Sequence, residues 1–280
     1  LVKSWEVSAD ATVSSAAELG NKWFQSKFDA TLAEINDGYD KFRVSDVLMI
    51  TYKLVWDEFC SWYLEMVKPD YQKPIAKKTY DQVIENFEKI LTVLHPFMPF
   101  ITEEIYHLIE DRKDEDCIMV GTWPLAAASD EIATNFEATK ELISQIRNLR
   151  KTKNIAFKEQ LELKVKSEVK DNQFDAAIQK LTNLSSLEYV EDKVEDCISF
   201  VIGANEYFIP IGGAIDVEAE RAKIQEEISY NEGFLKGVMK KLSNEKFVSG
   251  APEQVVAMEK KKQADAETKI ELLKKQLASL

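Results

Sequence analysis

Between residues 15 and 110 apolar side chains recur at the three-and-four spacing of amphipathic helices. Ser15-Ala-Ala-Glu18 reads as a capping box, in which a hydroxyl and a carboxylate satisfy free backbone N–H groups. Leu19, Trp23, Phe28, Leu32 and Ile35 follow on one face, and Asn36-Asp37-Gly38 predicts the stop. A second helix is expected from Ser45 to Lys68, with Val47, Leu48, Leu54, Val55, Phe59, Trp62 and Met66 inward and Pro69 ending it. A third, Ile75 to Leu94, turns Val83, Phe87, Ile90, Leu91 and Leu94 to the core, and a fourth runs from about Pro99 to Glu110. Helices joined by short connections predict a bundle over residues 1–124. Trp56, Phe59 and Trp62 lie at helical spacing and are expected in its core. Trp5, beside Lys3, suits either stacking on a base or anchoring a terminus.

The pattern changes after Trp123-Pro124. A helix from about Asp130 to Lys151 leads to LELKVKS, where Leu161, Leu163 and Val165 alternate with charged residues as in a half-buried strand. A short helix with Phe174, Ile178 and Leu181 precedes three further strand-like runs, SLEYV, CISFVI and EYFIPI. Residues 125–213 are expected to form a small α+β domain.

From residue 214 the period changes once more. Val217, Arg221, Ile224, Ile228, Asn231, Leu235, Val238 and Leu242 form one alternating three-four series, and Val256, Glu259, Gln263, Ala266, Ile270, Leu273, Leu277 and Leu280 another. That is the seam of a coiled coil. Folded back at SNEKFVSGAP, the arms form a projecting two-helix hairpin, with Pro252 in the first turn of the return helix and Phe247 and Val248 closing the tip. The seam is apolar at the base and diluted by Glu259 and Gln263 toward the tip, which predicts a more mobile tip. The fold class is mainly α with a small α+β part.

Charge divides the hairpin. The chain carries a net −13, which argues against general nucleic-acid affinity. Residues 214–235 hold six acids against two bases, whereas residues 236–262 hold seven lysines (236, 240, 241, 246, 260, 261 and 262) against three acids. A solvated coiled-coil surface and a polyanion contact both fit this reversal. A second basic run, RNLRKTKN, places Arg147, Arg150 and Lys151 on one helix face, with Lys153 beyond. It reads either as cations complementing a helix C-terminus or as a phosphate contact.

Candidate catalysis is sparse. Cys60, Cys117 and Cys197 are isolated, which suits a reducing, cytoplasmic compartment, and no apolar run reaches membrane-span length. His95, between a helix end and a proline, is expected as a packed or capping residue. Glu104-Ile-Tyr-His107 has the spacing of carboxylate-bridged metal bundles but stands once, where such sites use the pair twice. A metal-binding bundle there and a coiled-coil protein-interaction module are the alternatives to an RNA-binding reading. LVKSWEV opens like the end of a preceding element, so a piece of a longer chain is expected.

WDEFCSWYLEMVKP followed by LHPFMPFITEEIYHLI resembles the anticodon-binding domain of class I aminoacyl-tRNA synthetases for branched aliphatic amino acids. IRNLRKTKNI, IPIGGAIDVEAERAKIQEEI and above all KKLSNEKFVSGAPEQVVAMEKKK are similar to the C-terminal part of the bacterial valyl-tRNA synthetases. The resemblance implies a bundle that binds the anticodon stem and loop, and an arm that leans on the outer corner of the tRNA. It implies valine tRNA as partner, with the rest of the synthetase chain, and a monomer. In that family ATP and magnesium serve a nucleotide-binding core whose His-x-Gly-His and Lys-Met-Ser-Lys-Ser motifs are not in this sequence. This part is therefore expected to hold no cofactor and no catalytic residue. Lys3 and Trp5 fall on the anticodon side, and the basic residues above become candidate tRNA contacts.

Overall fold

The computed structural model describes residues 2–113, 115–127, 131–168, 173–195, 197–210, 217–243 and 253–279. The chain divides into two compact units, one comprising Leu1–Arg147 and Asp171–Asn183, the other Asn148–Lys170 and Leu184–Leu280. Among the described residues no helix is long and apolar enough to cross a membrane.

The first unit is a helical bundle: α1 (Ser15–Asp40), α2 (Val44–Lys53) continuing as a π-helix (Leu54–Tyr63) into α3 (Leu64–Val67), α4 (Lys77–Leu94), α5 (Pro99–Ile109), the greater part of α6 (Ile132–Thr152), and α7 (Asp175–Thr182). Its centre is aromatic. Trp23 and Phe24 of α1 are fully buried; the Trp23 ring centroid lies 4.8 Å from that of Phe136, and Phe24 stacks on Tyr63 at 4.6 Å. Phe174, ahead of α7, closes on Phe136 at 5.2 Å. Burying such rings removes large apolar areas from water, and tilted and offset pairs add to that.

Several boundaries differ from the sequence expectation. Ser14, one residue before the expected cap, receives the Ala17 N–H on its hydroxyl at 3.2 Å, while Glu18 pairs with Lys22 at 2.9 Å. Helix α1 runs through Gly38 to Asp40 because Gly38 there serves close packing: a Cβ on it would lie 2.5 Å from Val47 Cγ2. The turn falls on Phe42, which takes a left-handed φ of 57°. Ile75 and Ala76 precede α4 as a two-residue strand, β2, paired in parallel with Val7–Ser8, β1. That pairing ties the N-terminal segment to the bundle. On the second helix Val47, Leu54, Phe59, Tyr63 and Met66 are buried, but Leu48 and Trp56, expected inside, are 43% and 61% exposed.

The second unit contains a four-stranded sheet in the order β4 (Leu184–Tyr189), β3 (Leu161–Lys166), β6 (Asn205–Pro210), β5 (Cys197–Ile202). β3 and β4 are parallel; their connection includes α7, in keeping with the long crossover parallel neighbours require. β3–β6 and β5–β6 are antiparallel. Leu161, Leu163 and Val165 are buried as their alternation predicts. The unit ends in two long helices, α8 (Val217–Leu242) and α9 (Glu253–Ser279), packed along each other.

Candidate nucleic-acid interface

The arm is built on a single seam. Ile224, Ile228, Asn231 and Val238 of α8 are buried, as are Glu259, Ala266, Ile270 and Leu273 of α9, all at the expected three-four positions. Ile224, Ile228 and Leu273 form an apolar cluster with Leu277 against it. Helices of 26 and 27 residues extend about 40 Å at ~1.5 Å per residue. Lys274 pairs with Glu232 across the two helices at 2.8 Å, and its ammonium holds the Glu232 carboxyl below the ordinary range. The side chains of Val217, Arg221 and Leu280, with Phe247, Val248, Pro252 and Lys246, lie outside the described residues.

Glu259 organises the basic half. It is 6% exposed, receives a 2.7 Å hydrogen bond from Lys262 and lies 3.7 Å from Lys241 on the other helix. The Lys262 hydrogen bond chiefly, and the charge of Lys241 after it, hold the Glu259 carboxyl below its usual value. The residue that the sequence marks as a weak point in the seam thus anchors two of the lysines. Lys236, Lys240, Lys260 and Lys261 stand exposed beside them. Their exposure leaves these ammonium groups available to a polyanion.

The second basic run takes a different arrangement. Arg150 is 4% exposed, and its guanidinium donates to the carbonyls of Ala156 at 3.1 Å and Glu159 at 2.8 Å. Arg147 is half-buried, donates to the Leu181 carbonyl at 3.3 Å and lies over the Trp62 ring at 5.4 Å. Burial lowers the pKa of both. The expected shared cationic face is therefore corrected: Arg147 and Arg150 hold loops and helix ends together, Lys151 is exposed and Lys153 half-buried. Trp5 is half-buried, its backbone N–H donates to the Val2 carbonyl at 3.1 Å, and the Lys3 side chain lies outside the described residues.

His95 Nδ1 lies 2.8 Å from the Thr102 hydroxyl, the packed role expected of it. His107 pairs at 3.1 Å with Glu103, one helical turn back, rather than with Glu104. Among the described residues no cluster of three or more His, Cys, Asp or Glu could hold a metal ion. Lys140 has a role that its sequence position does not announce. It is largely buried, donates to Glu58 at 2.6 Å and Glu137 at 3.0 Å, and sits near the Trp23 and Trp62 rings. Its one local signal was Glu137 three residues earlier on the helix.

A bundle with an aromatic core, joined in one chain to a small sheet and a lysine-bearing two-helix arm, has counterparts among known proteins. Residues 21–167 match the anticodon-binding domain of tRNA ligase, and the chain belongs to that family. Residues 216–280 match the valyl tRNA synthetase tRNA binding arm. Among full-length relatives, a valine–tRNA ligase of Christiangramia forsetii is 51% identical over the whole of this chain, and one of Phocaeicola vulgatus 50%. A more distant valine–tRNA ligase, from Enterococcus faecalis, is 30% identical over 97% of the chain. The chain spans 32% of the length of each.

Proposed function

We propose that this chain is the tRNA-binding part of a valine–tRNA ligase. The bundle receives the anticodon stem and loop, and the α8–α9 arm rests on the outer part of the same tRNA. Lys236, Lys240, Lys241, Lys246, Lys260, Lys261 and Lys262 meet phosphates on the arm, Lys151 and Lys153 assist from the body, and Lys3 and Trp5 lie toward the anticodon. Arg147 and Arg150 hold their surroundings in place. Joining valine to tRNA with ATP and magnesium belongs to the longer ligase, acting as a monomer in the cytoplasm.

The observation that carries this reading is the exposed lysine cluster around the buried Glu259, on an arm whose base is acidic. Two contacts on one rigid ligand raise affinity through effective concentration without either being strong. Titration with valine tRNA and with a noncognate tRNA, at two salt concentrations, tests it. Binding that weakens steeply with salt, with a preference for valine tRNA that survives the higher salt, is expected. Absence of tRNA binding at low salt overturns the reading; equal affinity for both tRNAs removes the anticodon role and leaves only charge attraction.

A further inference from the structure

Along the outer side of the second helix, Val44, Leu48, Tyr52, Trp56 and Cys60 recur at every fourth position. The first four are 51%, 43%, 53% and 61% exposed, and Cys60 is exposed as well. The Tyr52 and Trp56 rings lie 6.5 Å apart and within 10° of parallel. An α-helix holds 3.6 residues per turn, so each four-residue step overshoots by about 40° and such a row winds around the helix. Here the row passes from the α-helical Val44–Lys53 into the π-helical Leu54–Tyr63. The wider π turn makes the same step fall short of a full turn, so the drift reverses and the five side chains keep to one side. The helix thus has two apolar sides, and among the described residues the fold covers the one bearing Val47, Leu54, Phe59, Tyr63 and Met66 and leaves the other exposed.

Isolated exposed apolar residues need no explanation, but a contiguous row marks a contact. Stacked aromatics can receive RNA bases, yet such platforms are set in positive grooves. The exposed charged residues from 44 to 60 are Asp46, Lys53 and Asp57, and the row itself begins with aliphatic Val44 and Leu48. A ridge of every-fourth-residue side chains is the surface onto which another helix packs. The relatives also contain the polypeptide to supply one, since this chain spans 32% of their length.

We propose that the row from Val44 to Cys60 seats an apolar helix from the part of a valine–tRNA ligase that lies outside these 280 residues. The proposal rests on the reading of the chain as part of such a ligase. Cys60 supplies the readout. With Cys117→Ser in place and Cys197 buried, Cys60 is the accessible thiol, and its alkylation by iodoacetamide can be timed in this chain alone and in a full-length ligase carrying it. Alkylation about tenfold or more slower in the full-length protein is expected, because access then requires the interface to open. Trp56→Glu, or Leu48→Glu should the first variant fail to fold, restores fast alkylation in the full-length protein and leaves tRNA affinity of this chain unchanged. Equal rates in the two proteins overturn the proposal. Protection of the isolated chain by valine tRNA alone, or by raising its own concentration, also overturns it, in favour of a base-stacking platform or a second copy. A full-length protein that charges no valine tRNA counts against the ligase reading while leaving the Cys60 comparison readable.

Discussion

Two runs of positive charge look alike in this sequence and differ in the structure. In RNLRKTKN the arginines turn inward, and backbone carbonyls of Ala156, Glu159 and Leu181 accept hydrogen bonds from their guanidinium N–H groups. On the arm, Lys240, Lys260 and Lys261 are exposed, while Lys241 and Lys262 lie beside a seam carboxylate. What separates the two is what surrounds each. A helix end in a packed domain has neighbours whose carbonyls need donors, and arginine's planar fork of donors is suited to serve several. On the arm the two helices pack along one seam, and the lysines that stand off it stay in water.

The sharpest way to break this comparison is at Arg150. Arg150→Ala leaves two loop carbonyls without their charged donor and is expected to lower stability by about 2–3 kcal/mol. Denaturant melts would show it, while tRNA affinity measured well below the transition stays unchanged. A large loss of affinity with unchanged stability would place Arg150 among the tRNA contacts after all. Next, reversing the charge of Lys240, Lys241, Lys260 and Lys261 together is expected to weaken tRNA binding by about tenfold or more and to flatten its salt dependence. An unchanged salt slope would remove these lysines from the interface.

A smaller difference is expected within the arm. Amide hydrogen exchange should be slower near Ile224, Ile228 and Leu273, where the seam is apolar, than near Lys240 and Lys260. Equal protection would mean that the Glu259 contacts stabilise the tip as well as the apolar cluster does the base. The smallest effect is in pH. The folded-state carboxyl of Glu259 is lowered from the ordinary 4.5, so its contribution is present above that value and lost as pH falls through the lowered one. The arm's stability should hold steady from neutral pH to about 5 and decline below, and Glu259→Gln should remove that part of the decline.

What the sequence makes legible here depends on how local the cause is. The arm seam is read residue by residue, because its three-four period is set by helix geometry and a single partner. The β3 alternation and the bundle's aromatic core follow from period and burial in the same way. Arg150 could not be read, because its acceptors are carbonyls of a loop whose path is tertiary. Leu48 and Trp56 read as core because a helix that is apolar on two sides gives no sign of which side the fold will cover. Gly38 reads as a stop because its close approach to Val47 exists only once the helices are packed.

Glu259 also bears on how the two arm helices find each other. Hydrophobic seams tolerate sliding, since one aliphatic layer resembles the next. A carboxylate at a seam position, 3.7 Å from a lysine on one helix and 2.7 Å from a lysine on its own, does not. Shifting α9 along α8 by a heptad would part that carboxylate from Lys241 and leave it in the seam without its cross-helix cation, which buried carboxylates resist strongly. The same residue that thins the seam thereby selects one alignment of the hairpin, in the way a single polar seam residue sets register in coiled coils.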